Sequence, residues 1–181
     1  MIPTEKECIQ LLKKYSPDEK TFNIVLAHVK KVEETALETA KKIPNINLEI
    51  IKAGSLLHDI GRFDYPPSTG KDAIKHGIRG AEILRNENID ESLARICETH
   101  IGIGITKEDI EKQSLPLPKK DFTPAAKEEK IIAYADSLVF GSKNVIGTEK
   151  MVEDRFEKEL GKEYAERAGK FHNEIHGMFS N

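Results

Sequence analysis

Four side chains combine metal-binding residue types with positions that we expect to be buried. His28 and Asp136 each interrupt the apolar face of a helical segment, and His58-Asp59 ends a third apolar run in LLHDIG. An ionised carboxylate on a buried helix face is costly unless a cation or another partner compensates its charge. Two imidazoles and two carboxylates form a reasonable ligand set for a divalent transition metal. The set therefore predicts a metal site built by several helices.

Each of these residues also has a structural explanation when it is taken alone. A single core histidine commonly donates to a backbone carbonyl, and Asp136 could be the buried partner of Lys130 or Arg62. The HD dipeptide is close to chance in a chain of this composition. One helix presents only residues three or four apart on the same face, so ligands on separate helices need a shared partner or a buried network. The metal prediction depends on the whole set.

The order His28, His58-Asp59 and Asp136 resembles the H…HD…D signature of the HD superfamily of metal-dependent phosphohydrolases. The resemblance covers about residues 26–138 and implies an all-α fold. In the two-metal branch of that superfamily, further histidines lie between the HD pair and the last aspartate, as His76 and His100 do here. The segment IGIGITKED after His100 replaces the GYP motif, which argues against a cyclic di-GMP phosphodiesterase.

The resemblance implies roles for these residues. Asp59 would bridge two ions, with His28, His58 and Asp136 on one ion and His76 and His100 on the other. Alternatively, His76 and His100 bind substrate phosphate. Mixed nitrogen and oxygen ligation favours Mn, Fe, Co, Ni or Zn over Mg, with one or two ions per chain.

The predicted chemistry is hydrolysis of a nucleotide or other small phosphoester by a metal-activated water. Asp59 would orient the water, and Arg62 would stabilise charge on the phosphoryl oxygens. Arg62, Arg79 and Lys75 are the candidate phosphate-binding residues, although Arg62 could equally be a surface charge at a helix C-terminus. The alternatives are a di-iron oxygenase of the same fold and a non-catalytic metal- or nucleotide-binding module.

The elements that position these residues are helices, because apolar residues recur at helical spacing along most of the chain. We expect one HD-type helical bundle over residues 1–181, with a signature core at about 26–140 and a C-terminal helical extension over 148–180. The predicted helices are Thr4–Leu12, Phe22–Ile43, Leu48–Ile60, Ala73–Glu87, Asp90–His100, Lys107–Gln113, Thr123–Phe140 and a stretch from Thr148 broken near Gly161 or Gly169. Gly61 should end the third helix, while FDYPPSTGKD and LPLPKKDF should be loops.

Composition narrows the class of protein. With 38% hydrophobic and 33% charged residues, the chain should be a soluble globular protein. Its net charge of -3 gives no reason to expect a nucleic-acid polymer as partner, and no apolar run is long enough for a membrane span. Two distant cysteines and a charged N-terminus favour the cytoplasm. His172 and His176 flank an apolar stripe, so we interpret this H-x-x-x-H pair as structural.

Overall fold

The computed structural model describes residues 1–180. Over those residues the chain forms nine α-helices and one short antiparallel hairpin, which confirms the predicted all-α class. The helices are α1 (Glu5–Tyr15), α2 (Glu19–Ala40), α3 (Leu48–Leu57), α4 (His76–Asn86), α5 (Glu91–Thr99), α6 (Lys107–Gln113), α7 (Lys127–Ser137), α8 (Glu149–Leu160) and α9 (Lys162–Gly177). The hairpin strands are β1 (Val139–Phe140) and β2 (Val145–Ile146), and the 3-10 segments Ile60–Phe63 and Pro67–Lys75 join α3 to α4.

Helix α7 packs into two apolar cores. Its residues Ile131 and Ile132 join the main core, which α2, α3 and α5 build with fully buried side chains such as Val29 and Leu56. Ala133 of the same helix joins a second core formed with α8 and α9. Burial on both sides positions α7, and Asp136 in its last turn, between the two cores.

Several predicted boundaries are wrong for identifiable reasons. Helix α7 begins at Lys127 rather than Thr123, because the backbone at Ala126 is extended (φ -70°, ψ 154°) and the Glu129 side chain accepts a hydrogen bond from the backbone N–H of Ala125 (2.8 Å), which lies before the helix. It ends at Ser137, and the hairpin replaces the expected last turn. Ile24 is one of the apolar residues whose helical spacing predicts α2, but it is 61% accessible and lies on the exposed side of that helix rather than on the buried face with His28.

Other boundaries agree with the sequence analysis. Helix α6 has the predicted range, and the Thr148 side chain caps α8 by accepting from the N–H of Met151. Gly161 separates α8 from α9 with a φ of 105°, whereas Gly169 lies inside α9 without a break. None of the described helices has the length and apolarity that a bilayer crossing requires.

Gly61 has a different role from the predicted helix stop. Helix α3 has already ended at Leu57, and Gly61 lies inside the following 3-10 segment. A Cβ atom at this position would lie 2.0 Å from the carbonyl oxygen of His76 and 2.7 Å from the backbone nitrogen of Gly80. Glycine is therefore required because the backbone of α4 packs directly against this segment.

Candidate metal centre

Five helical segments bring the six predicted metal ligands together. Four of these residues lie at the beginning or just past the end of a helix, and the other two lie within α2 and in the last turn of α7. They are His28 in α2, His58 and Asp59 after α3, His76 at the start of α4, His100 after α5 and Asp136 in α7.

Asp59 lies between two pairs of imidazoles. Its Oδ2 atom is 3.6 Å from Nε2 of His28 and 3.9 Å from Nε2 of His58. Its Oδ1 atom is 3.2 Å from Nε2 of His76 and 3.4 Å from Nε2 of His100. Each carboxylate oxygen therefore faces a different pair of histidines, which is the arrangement expected of a carboxylate shared by two cations.

Asp136 completes the first of these groups. Its Oδ1 atom is 3.0 Å from Nε2 of His28 and 3.6 Å from Nε2 of His58. The alternative pairings with Lys130 or Arg62 do not form, because Lys130 binds Glu174 and Arg62 binds Asp59.

Within residues 1–180, two sets of three residues could each hold a metal ion. In each set the ligand atoms all lie within 4.8 Å of one another. The sets are His28, His58 and Asp136, and His58, Asp59 and His100.

The outer nitrogen of three histidines is fixed by a backbone carbonyl. The Nδ1 atoms of His58, His76 and His100 lie 2.7, 2.6 and 2.9 Å from the carbonyl oxygens of Ser55, Ala73 and Cys97. A carbonyl oxygen can only accept a hydrogen bond, so each Nδ1 carries the proton. In the neutral rings the Nε2 lone pairs therefore point towards the centre, as metal ligation requires.

Those lone pairs face one another without a donor between them. Nε2 of His76 lies 3.0 Å from Nε2 of His100, and the fully buried Nε2 of His58 has no hydrogen-bond partner. A buried polar atom without a partner is costly, and two lone pairs at this separation repel unless a cation or proton lies between them. The donor set thus fits divalent metal ions.

The electrostatics of the centre keep both carboxylates ionised. Burial would raise the pKa of Asp59, but the Arg62 guanidinium and the surrounding histidines hold that pKa well below its usual range. The pKa of Asp136 is also lowered, because the neighbouring imidazoles of His28 and His58 outweigh the opposing effect of burial.

Burial lowers the pKa of His100 to about 4. For His28, burial also disfavours the charged ring, yet the Asp136 and Asp59 carboxylates outweigh it and raise the pKa to about 9. A metal ion would compete with that proton for Nε2, so metal binding at His28 involves proton release.

The three predicted phosphate-binding residues occupy different environments. Arg62 donates from Nε to Oδ1 of Asp59 (3.2 Å) and remains 27% exposed, so it lies at the edge of the centre. Arg79 instead pairs with Asp64 and Glu82, and Lys75 pairs with Asp72, in partly exposed ion pairs. The structure thus brings only Arg62 of these three to the ligand cluster.

One contacting residue was missed by the sequence analysis. Asn144, in the turn of the β1–β2 hairpin, places its Oδ1 atom 3.3 Å from Nδ1 of His28. The strands are only two residues long, so no alternating pattern indicated a hairpin. The turn composition GSKN was the sole available signal.

His172 and His176 join α9 to α8. Nδ1 of His172 lies 3.3 Å from Oε1 of Glu153, and Nε2 of His176 lies 2.7 Å from Oε1 of Glu149. Across residues 1–180, no third ligand atom joins either pair at metal-binding distance. These contacts agree with the structural interpretation of the two histidines.

Comparison with known proteins identifies the family. The HD domain model matches residues 25–141, which include His28, both residues of the HD pair and Asp136. An uncharacterised protein of Methanocaldococcus jannaschii is 46% identical over 144 residues, which cover 77% of this chain and 79% of that protein.

Two further relatives are longer proteins. Both are named tRNA (cytidine(56)-2'-O)-methyltransferase, one from Picrophilus torridus (41% identical) and one from Thermoplasma volcanium (40% identical). The matches cover 96% and 95% of this chain, but only 47% and 46% of those proteins. The chain thus spans about half the length of these two relatives.

Solved structures share the fold. The HD domain of the phosphodiesterase PgpH from L. monocytogenes, in complex with cyclic-di-AMP, superposes with a TM-score of 0.56 at 20% identity, covering 96% of this chain and 85% of that one. A second structure of the same domain gives a TM-score of 0.56 at 18% identity, covering 91% and 87%. The chain belongs to the HD-domain family, the family of metal-dependent phosphohydrolases that its motifs resemble.

Proposed function

We propose that this protein is a metal-dependent phosphohydrolase that cleaves a nucleotide or another small phosphoester. The observation that carries the proposal is the position of Asp59, whose two oxygens face separate pairs of imidazole nitrogens. Two-metal hydrolases use such a shared carboxylate to hold their ions close together.

The ligands divide into two groups around Asp59. His28, His58 and Asp136 would hold one ion with Asp59, and His76 and His100 would hold the other. A transition metal among Mn, Fe, Co, Ni and Zn suits this donor set. The alternative role of His76 and His100 in binding phosphate is less favourable, because both rings are buried and their Nε2 atoms present lone pairs to the anion.

When bound, such ions polarise a phosphoryl oxygen and lower the pKa of a coordinated water towards neutrality. The ionised Asp59 carboxylate accepts a hydrogen bond from the attacking water and orients it. Arg62 uses Nε to bind Asp59, which leaves its terminal N–H groups to donate to phosphoryl oxygens. The same guanidinium therefore positions both the carboxylate and the substrate.

A phosphoester carried by RNA is a second candidate substrate. The observation that favours it is the 41% identity, across 96% of this chain, to a protein named as a tRNA methyltransferase. Small nucleotides and an RNA with terminal phosphates should therefore be compared in the same assay.

Metal content and phosphate release test the proposal together. Wild-type protein should hold one or two transition-metal ions per chain by elemental analysis and release phosphate or a nucleoside from at least one substrate. His58→Ala should lose both metal and activity. His172→Ala is the matched control, because His172 is also buried but lies outside the centre and should keep both.

Three results would contradict the proposal. Hydrolysis at this centre would be excluded if metal-loaded wild type released no phosphate or nucleoside from any nucleotide or RNA substrate tested and His58→Ala behaved identically. Iron content combined with oxygen consumption on an organophosphonate or polyol would indicate the oxygenase instead. Tight nucleotide binding without turnover would indicate a binding module.

A further inference from the structure

We infer that Asn144 is a positioning residue that fixes the ring of His28 for metal binding. The inference rests on the proposed metal centre and adds to it a residue from outside the helices that supply the ligands. His28 differs from the other three histidines of the centre in the element that supplies the acceptor for its Nδ1 atom.

The other histidines obtain their Nδ1 acceptor from their own segment. His58, His76 and His100 each cap a helical segment, and each Nδ1 donates to the carbonyl three residues earlier. Carbonyls in a last turn have a free acceptor because they lack the full set of intrahelical bonds.

His28 has no such carbonyl available. It lies in the middle of α2, where the carbonyls of the preceding turn accept from backbone N–H groups of the helix. Its Nδ1 therefore needs an acceptor from another element, and Oδ1 of Asn144 lies 3.3 Å away. When Oδ1 accepts from the Nδ1 proton, the Nε2 lone pair points towards Asp136 and Asp59.

The hairpin holds Asn144 in place from its base. Val139 pairs with Ile146, and the N–H of Gly147 donates to the carbonyl of Leu138 (2.8 Å). The ring of Phe140 packs so closely on Gly147 that a Cβ there would lie 2.6 Å from it. These contacts connect the turn rigidly to the end of α7.

The guanidinium of Arg155 in α8 adds a further contact, 4.8 Å from the centre of the Phe140 ring. The last turn of α7 and the hairpin that follows it each supply one contact to the imidazole ring of His28. Asp136 lies 3.0 Å from Nε2 of His28 and Asn144 lies 3.3 Å from Nδ1.

The backbone at Asn144 also suits asparagine. Its φ of 50° is in the left-handed region, which asparagine adopts more readily than most residues. An amide adds no charge beside a centre that already has two ionised carboxylates. Glycine tolerates the same φ, so Asn144→Gly removes the acceptor without straining the turn.

The test is titration of metal-free protein with Mn²⁺ or Zn²⁺, with thermal unfolding of each metal-free variant. Asn144→Gly should weaken metal binding by about 10- to 100-fold, as loss of a hydrogen bond to a metal-binding histidine typically does. Asn144→Asp retains an acceptor oxygen and should restore affinity to within a few-fold of wild type. The exposed neighbour Lys143 is the control, and Lys143→Ala should bind as wild type does.

The outcomes separate this inference from the proposed function. If wild type binds metal and Asn144→Gly binds it equally well, the positioning role is wrong while the metal centre stands. If Asn144→Gly loses affinity only in proportion to a lower unfolding temperature, or Asn144→Asp fails to rescue it, the residue acts by stabilising the hairpin and the inference is overturned. Wild type that binds neither ion would refute the centre itself.

Discussion

An added methyl group at Gly61 would test how closely the segment after the HD pair packs against α4. The new Cβ would lie 2.0 Å from the carbonyl oxygen of His76 and 2.7 Å from the nitrogen of Gly80. Side-chain rotation cannot relieve these contacts, because both partners are backbone atoms. Restoring a separation of 3.0 Å from the oxygen requires a displacement of about 1 Å, the difference from 2.0 Å.

Such a displacement is expensive in a packed interior. Overpacking typically costs about 1–3 kcal/mol, and a backbone clash belongs at the upper end, near 3 kcal/mol. For a protein of this size, each kcal/mol lowers the unfolding temperature by about 2–4 °C. Gly61→Ala should therefore unfold about 6–12 °C below wild type.

Metal content should change as well. His76 begins α4, so a shift of that helix away from Gly61 also moves Nε2 of His76 away from Asp59. Gly177→Ala is the control, because a Cβ at that helical position meets nothing within 4 Å. Alanine there should leave stability unchanged or raise it by up to about 1 kcal/mol.

Calorimetry and elemental analysis of the same preparations check both parts. A Gly61→Ala protein with the unfolding temperature of Gly177→Ala would refute the close packing of the two backbones. A Gly61→Ala protein that is destabilised but keeps its metal content would support the close packing. It would refute the prediction that a shift of α4 moves His76 away from the metal centre.

Two further predictions concern charged contacts. Arg62→Gln, assayed with saturating metal because Arg62 also binds Asp59, should lower kcat by about 100-fold, since a donor to the developing phosphoryl charge is lost; unchanged kcat would exclude Arg62 from the reaction. Asp109 of α6 binds Arg167 of α9 (2.8 Å), and despite the opposing effect of burial this contact lowers the pKa of Asp109 to about 2. Because the folded-state pKa is lowered, the stabilisation of about 2 kcal/mol is present above pH 4 and is lost as the pH falls towards 2. The free energy of unfolding, measured with denaturant between pH 5 and 2, should therefore decrease less steeply with falling pH in Asp109→Asn than in wild type. The exposed Glu108→Gln variant should follow wild type. Equal pH dependence in Asp109→Asn and wild type would refute the stabilising role of the Asp109–Arg167 contact.

Much of the fold was predictable because most helices show their apolar spacing in the local sequence. Helix α6 and the break at Gly161 depend on neighbouring residues alone; α6 was predicted with its observed range, and Gly161 is one of the two positions predicted for the break. The start of α7 was not, since Thr123 and Pro124 are a strong local start signal, whereas Ala126 keeps an extended backbone and Glu129 binds the N–H of Ala125 ahead of the helix. Local signals locate a helix better than its first residue.

The sequence likewise predicted some features of the metal centre and not others. All six proposed ligands meet in space, because buried imidazoles and carboxylates on apolar segments need a common partner. The partners of the charged groups could not be read from the sequence. Arg79 and Lys75 have carboxylates nearby, at Asp64 and Asp72, which hold them in partly exposed ion pairs. The role of Asn144 could not be predicted, because 116 positions separate it from His28 in the sequence and no local pattern connects the two residues.

The position of the HD pair at a helix end has a geometric cause. Consecutive residues of a continuous helix point about 100° apart and do not face a common centre. Here α3 ends at Leu57, and Asp59 adopts φ -102° and ψ 12°, outside the helical region. That change of direction lets the side chains of His58 and Asp59 reach the same ions, and it places the next turn directly beneath α4. Gly61, which follows the pair, is therefore needed for the close approach of His76. The end of α3 at Leu57, which precedes the pair, allows both His58 and Asp59 to act as ligands.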